Sequence, residues 1–291
     1  MKASVKAYAK INLFLDMVSR RENGYHNILS VMQSVSLHDV VTVEYTSGDK
    51  TEINVTCSTG SIPQDSSNLG YRAANIYPFA KGKIDIHIEK SIPVSAGLAG
   101  GSADAAAVLL ALNDLCGNPM SIEELKALGA TIGADVPFCI ECGTCLVEGI
   151  GEIMNEFVSM PDYPIVIAKK GEGMSTPAAY KMLDDRYNDF KAYQPHSDML
   201  EGLRNYAPGK IYEYCLGIYN LFEEVVEPLR PEVTVIKDVM NSSGAVKATM
   251  SGSGTSVFGI FEDEDCASEA LQKLIDLGAD AHLCYPCAAR A

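Results

Sequence analysis

The sequence predicts an α+β protein of two domains with a cleft between them. The chain has 291 residues, enough for one large domain or two ordinary ones. Strand-like alternation and helix-like periodicity are mixed in both halves, the pattern of α+β layers. Each half also carries one loop of small residues, Pro93–Ala106 and Ser251–Gly254, and both could face a shared cleft. The expected division is residues 1–155 and 156–291.

The composition, 47% hydrophobic, is that of a globular chain, and the net charge of −15 makes nucleic acid and anionic membrane poor partners. No stretch has signal-peptide or membrane-span character, so a cytoplasmic location is expected. A monomer or weak homodimer is expected as well.

In chain order, Val5 to Met17 alternates, with Val5, Ala7, Ala9, Ile11, Leu13, Leu15 and Met17 on one face. This predicts a half-buried strand showing Lys10 and Asn12 side by side on its other face. A solvated face accounts less well for Asn12, because Asn is depleted in strands. Val40–Tyr45 and Glu52–Thr56 also read as strands, and Asn68–Ile76 reads as a helix. Ile84, Ile86 and Ile88 alternate with Asp85, His87 and Glu89, so His87 is an outward strand residue. A helix from about Ser102 to Leu115 is apolar on nearly all sides and should be buried. Ser121 with Glu124 forms a capping box for the next helix. In the second half, Ile165–Ala168 reads as a strand, and Thr176-Pro177 starts a helix with Pro at its first position. Tyr214–Val226 and Glu232–Met240 read as helices. Two strands, Ala245–Met250 and Ser256–Phe261, are joined by the second small-residue loop. A helix over Asp265–Leu277 and a strand over His282–Tyr285 follow.

The strongest chemical signal is Pro93-Val94-Ser95-Ala96-Gly97-Leu98-Ala99-Gly100-Gly101-Ser102-Ala103-Asp104-Ala105-Ala106. Small residues abutting a helix start let backbone N–H groups converge on an anion, and the helix N-terminus adds partial positive charge. Ser102 could offer its hydroxyl to a phosphate or a metal. The glycine spacing is neither that of a Walker A loop nor that of a dinucleotide fingerprint. Gly133-Ala134-Asp135-Val136-Pro137 places an aspartate at a turn or helix start. Asp135 is either an N-cap or a general base for an alcohol, and Lys10 could be the cation such a base needs. Gly24-Tyr25-His26 is either a hairpin turn with a packed Tyr or an aromatic–imidazole pair for a planar ring.

The nine cysteines include Cys139, Cys142 and Cys145 at three-residue intervals and the pair Cys284 and Cys287. A metal or redox module built on them is the alternative from a different class. The competing expectation puts Cys139–Cys145 in strand and turn as small hydrophobes, with no His nearby to complete a ligand set.

Taken together, Ala9-Lys10-Ile11-Asn12-Leu13, the Pro93–Ala106 stretch and Ser251-Gly252-Ser253-Gly254 resemble the three motifs of the GHMP kinase superfamily. With Gly24-Tyr25-His26, Gly133-Ala134-Asp135-Val136-Pro137 and Glu148-Gly149-Ile150-Gly151-Glu152, the resemblance is to the branch acting on 4-diphosphocytidyl-2-C-methyl-D-erythritol, and it covers nearly the whole chain. It implies an N-terminal domain like ribosomal protein S5 domain 2 and a ferredoxin-like C-terminal domain. It also implies transfer of the γ-phosphate of ATP, with Mg2+, to a tertiary alcohol in the non-mevalonate isoprenoid route. On this resemblance Asp135 is the base, Lys10 its cationic partner, and Asn12 positions the erythritol part. Tyr25 and His26 recognise cytosine, with Tyr180, after Thr176-Pro177, as a second stacking aromatic. Residues 93–103 wrap the triphosphate, with Asn68 and Lys90 near the nucleoside. Ser102 is a candidate magnesium ligand, but the sequence announces no carboxylate to join it. Homoserine and mevalonate kinases of the same superfamily are the nearest alternatives. A ringless substrate leaves Tyr25 and His26 without a partner.

Overall fold

The computed structural model describes residues 1–191 and 193–290. Two long strands, β1 (Lys2–Arg20) and β2 (His26–Ser47), form an antiparallel hairpin that pairs Lys2 with Glu44 at one end and Arg20 with His26 at the other. The expected strand at Val40–Tyr45 is the far part of β2. Its length lets β2 serve two neighbours. Val40–Ser47 pairs with β4 (Gly82–Glu89), itself parallel to β3 (Glu52–Cys57), whereas Ile28–Gln33 pairs with β5 (Thr144–Gly149). β6 (Ile153–Glu156) closes a hairpin on β5.

β1 corrects one expectation. From Ala9 to Met17 every residue is buried, on both faces, so the strand is not half-exposed. The sheet is covered on one side by α2 (Gly100–Leu115), whose alanine-rich surface admits close packing, and α4 (Val136–Glu141) also packs on β1. Register shifts interrupt the ladder between Tyr8 and Lys10 and between Asn12 and Phe14. Such bulges re-aim side chains beside a site. α1 (Leu69–Ile76) packs on α2, and α3 (Ile122–Ala130) starts at the expected capping box. The segment Cys139–Cys145 is not strand and turn. Cys139 lies in α4, Cys142 ends that helix with φ 63°, and only Cys145 is in a strand.

In the second half, β7 (Ile165–Lys169) is followed by α5 (Thr176–Tyr187), α6 (Leu200–Arg204) and α7 (Ile211–Cys215). Next come β8 (Tyr219–Asn220), α8 (Glu223–Val226) and α9 (Pro231–Ser242). The single helix expected over Tyr214–Val226 is therefore broken, and β8 in its middle pairs with Phe14 and Leu15 of β1. The apolar residues there are buried against the first sheet, which overrides local helix preference. β9 (Ala245–Met250), β10 (Val257–Phe261), α10 (Glu264–Asp276) and β11 (Asp280–Cys284) complete the fold. The antiparallel sheet order β11-β7-β10-β9, with α9 and α10 as the helices, is the ferredoxin-like β-α-β-β-α-β arrangement. The tail after β11 returns to the first half, where Cys287 N donates to Ser34 O at 2.8 Å and Arg290 N to Glu141 O at 2.9 Å.

Candidate active site

Every site residue expected from the sequence except Ala103 lines one cleft of about 1150 Å3 between the two halves. Ala103 lies inside α2, where its N–H donates to Ala99 O. The cleft is stitched together by backbone and by the Ser251 hydroxyl. Lys10 N donates to Leu98 O at 3.1 Å, Asn12 N to Ser251 Oγ at 3.3 Å, and Ser251 Oγ to Gly97 O at 3.1 Å. β1 and both small-residue loops thus meet at one point.

The loop before α2 is built as an anion cradle. Ser95, Gly97 and Ala99, every second residue, have positive φ of 53°, 77° and 57°, and such alternation turns successive N–H groups to one side. Holding non-glycine residues there costs on the order of 1–2 kcal/mol each, strain of the kind that collects at functional sites. Among the described residues no side chain caps α2, so its first N–H groups stay free for a ligand.

Lys90 reaches this turn from below. A Cβ on Gly100 would stand 3.0 Å from Lys90 Nζ, so glycine makes room for the ammonium. That ammonium donates to Asp39 Oδ2 at 2.5 Å and Asp104 Oδ2 at 2.9 Å, and all three side chains are at most 5% exposed. Two carboxylates around one cation leave a surplus negative charge in a dry site. Burial therefore pushes Asp104 up to about 7, with Lys90 opposing, and Asp104 Oδ1 has no partner among the described residues. Because Asp104 holds its proton more tightly folded than at the ordinary value of 3.8, folding binds a proton over that window. Its contribution to stability falls as pH rises from about 4 to about 7, by on the order of 1.4 kcal/mol per unit, and is level above. Thermal unfolding across this range should show Asp104→Asn losing that slope. Parallel profiles for the two proteins would refute the assignment.

Asn68 is the N-cap of α1. Its Oδ1 accepts from Gly70 N at 2.8 Å and Tyr71 N at 3.3 Å, and its Nδ2 donates to Pro63 O at 2.7 Å. Deeper in the cleft, Lys10 Nζ donates to Asn12 Oδ1 at 2.6 Å, and Asn12 Nδ2 donates to Ser30 Oγ at 2.9 Å. Lys10 and Asp135 form no ion pair among the described residues, yet both charges act on the buried Cys139 thiol, Asp135 raising and Lys10 lowering its pKa. Asp135 stands at the N-cap position of α4 without making a cap hydrogen bond. Ser102 Oγ faces the same turn, 3.8 Å from where a Cβ on Gly133 would be.

At the opposite end, Tyr25 is 60% exposed. Tyr180 is not open on both faces. It stacks on His26 with ring centroids 4.8 Å apart and meets Phe222 edge-on at 5.0 Å. Burial, then the Asp135 charge, push its phenol well up. Thr176 Oγ1 lies 2.8 Å from Ser253 Oγ, joining α5 to the second loop.

Some residues that build the cleft were not anticipated. Asn220, in β8, donates through Nδ2 to Met250 O at 2.6 Å and Gly252 O at 2.9 Å and so holds the second loop. An Asn flanked by apolar residues, which strands disfavour, was the available signal. Asp39 and Asp184 carried none, since their partners lie far away in sequence. Among the described residues no group of three or more His, Cys, Asp or Glu is arranged to hold a metal. Burial raises Cys145 to about 11 and Cys284 to about 12, which makes these thiols poor ligands and ordinary packing groups.

Residues 68–143 match the family model for the GHMP kinases N terminal domain, and residues 199–280 the model for the GHMP kinases C terminal region. The chain is 43% identical over 273 residues to the 4-diphosphocytidyl-2-C-methyl-D-erythritol kinase of Caldicellulosiruptor saccharolyticus, covering 93% of this chain and 92% of that one. It is 41% identical over 281 residues to the kinase of the same name from Clostridium beijerinckii, covering 94% and 97%. A crystal structure of 4-(cytidine 5'-diphospho)-2C-methyl-D-erythritol kinase matches with a TM-score of 0.78 at 33% identity, over 98% of this chain and 99% of that one. A mevalonate kinase from L. major matches with a TM-score of 0.75 at 15% identity, over 100% and 98%, a likeness of fold alone.

Proposed function

The chain belongs to the 4-diphosphocytidyl-2-C-methyl-D-erythritol kinase family of the GHMP kinases, and we propose that it transfers the γ-phosphoryl group of ATP to the 2-hydroxyl of 4-diphosphocytidyl-2-C-methyl-D-erythritol, a step of the non-mevalonate isoprenoid route. The observation that carries this reading is one cleft with a phosphate cradle, an uncapped aspartate and, at its far end, an aromatic–imidazole pair. A nucleotide–alcohol substrate spans those features, while mevalonate and homoserine have no ring for the last.

In this reading residues 93–103 wrap the triphosphate, with Asn68 and Lys90 near the nucleoside, Lys90 held in place by Asp39 and Asp104. Asp135 takes the hydroxyl proton. Lys10, oriented by Asn12, stabilises charge on the transferred group, and Asn12 and Thr176 position the alcohol. Phosphoryl transfer asks mainly for such positioning and charge stabilisation. Mg2+ keeps most of its ligands as water and phosphate oxygens and takes one or two from protein. Ser102, whose hydroxyl faces the turn beside the cradle, fits that sparse demand, and the ion would neutralise phosphate charge. Tyr25 and His26 receive the cytosine. We extend the proposal to two domains, 1–155 and 156–291, with the reaction in the cleft between them, and to a cytoplasmic monomer or weak homodimer.

The direct test is ADP release from ATP with each alcohol in turn. Turnover of mevalonate or homoserine without turnover of the cytidine substrate would sink the proposal. Tyr25→Ala removes one exposed stacking face, worth about 1–3 kcal/mol per base. It should raise KM for the cytidine substrate about tenfold or more with kcat little changed. An unchanged KM would mean the ring is held elsewhere.

A further inference from the structure

His26 is the first residue of β2 and pairs across the hairpin with Arg20. Its side chain is only 6% exposed and is held on three sides. Tyr180 covers one ring face, Phe190 packs on an edge with centroids 5.6 Å apart, and Nε2 lies 2.6 Å from Asp184 Oδ1. Tyr180 and Asp184 are four residues apart on α5, so one helix face supplies both contacts. Thr176 is four residues earlier on that face, tied to the second loop through Ser253. Arg20 approaches the other Asp184 oxygen, Nε to Oδ2 at 3.5 Å, and also pairs with Asp189. The guanidinium thus faces the Asp184 oxygen that His26 does not use.

A carboxylate on Nε2 puts the ring hydrogen there and leaves the other nitrogen of a neutral imidazole as an acceptor. That nitrogen, Nδ1, bonds to no described residue and is not sealed from solvent, while the ring as a whole lines the cleft. A ring so closely packed with one open acceptor wants a donor from a ligand. We infer that Asp184 is a positioning residue that locks His26 with its hydrogen on Nε2, so that Nδ1 selects a pyrimidine bearing an amino group, cytosine, over one bearing a carbonyl, uracil. This rests on the proposed cytidine substrate. Asp184 touches no reacting atom.

The test has two parts. In the wild-type protein, 15N spectra of the imidazole near neutral pH should show hydrogen on Nε2 and a bare Nδ1. The opposite tautomer overturns the inference without any variant having to fold. The second part compares kcat/KM for the cytidine substrate and its uridine counterpart. Asp184→Ala should cut the cytidine preference about tenfold, the scale of one hydrogen bond, through KM for that substrate, with KM for ATP unchanged. Asp184→Asn, which keeps an acceptor oxygen, should restore much of the preference. Full discrimination in Asp184→Ala overturns the inference while leaving the substrate assignment intact. Failure of the wild-type protein to phosphorylate the cytidine substrate would instead bring down the assignment itself.

Discussion

Asp135→Asn should lower kcat by on the order of 10²–10⁴, the scale of a lost general base, with ATP affinity and thermal stability almost untouched. The dissociation between activity and stability follows from geometry. An aspartate at a helix N-cap ordinarily accepts backbone N–H bonds, and its loss costs about 1 kcal/mol. Asp263 does this for α10 through Cys266 N at 2.8 Å, and Asn68 and Ser121 cap their own helices. Asp135 has the same position on α4 but makes no such bond. Its carboxylate is therefore unspent on structure, and asparagine keeps its shape while removing its capacity to accept a proton. ATP should still bind, because the cradle of residues 93–99 relies on backbone. Steady-state turnover and ATP titration of this variant decide the catalytic role, and near-normal turnover removes Asp135 from the chemistry. Because asparagine caps a helix as well as aspartate does, the capping role is judged by thermal unfolding of Asp135→Ala, where a stability loss of about 1 kcal/mol would restore it.

Those outcomes bear on how much of the protein its sequence reveals. Several local signals were sound, although the alternation of β1 and the Cys139–Cys145 spacing misled. The alternation of Ile84, Ile86 and Ile88, the Ser121–Glu124 box and the glycine stretch before α2 each depend on neighbours within a few residues, and each stands in the fold. Long-range pairing was hidden. The helix expected over Tyr214–Val226 gives way at Tyr219–Asn220 because β1 offers backbone partners there. Nothing within the segment records that. The same holds for charge. Lys90 stands alone in its segment, yet its partner Asp39 lies 51 residues away, brought alongside only by the pairing of β2 with β4. Its ammonium is spent on two carboxylates, a fact no local pattern could carry. Tyr180 was legible as an aromatic following a helix start, whereas its stacking on His26 belongs to the packing of α5 on the hairpin. Function was more legible than geometry, since the chemistry-bearing residues cluster in short motifs while their orientations depend on distant ones.

Gly97→Ala should damage both stability and activity, because Gly97 is where the two small-residue loops touch. A Cβ there would fall 2.1 Å from Ser251 O, with Ser251 C at 3.1 Å and Gly254 N at 3.3 Å. These are backbone atoms, so no rotamer change relieves the clash. The backbone is also left-handed, with φ +77°, which costs an L-residue about 1–2 kcal/mol. Separating the loops would break the Ser251 Oγ bond to Gly97 O and strain the link from Asn12 N to Ser251. Overpacking adds about 1–3 kcal/mol, so a total near 2–5 kcal/mol is expected. KM for ATP should rise and kcat fall together, since the displaced segment carries the proposed phosphate cradle and abuts Lys10 through Leu98. Gly278→Ala isolates the backbone component. Its φ is +76°, but an added Cβ meets nothing within 4 Å. It should lose on the order of 1 kcal/mol and leave the kinetics alone. If Gly97→Ala behaves no worse than Gly278→Ala in unfolding and in turnover, close approach of the loops is not what demands glycine at position 97. If it loses activity beyond its loss of stability, the contact between the loops is part of the phosphate site.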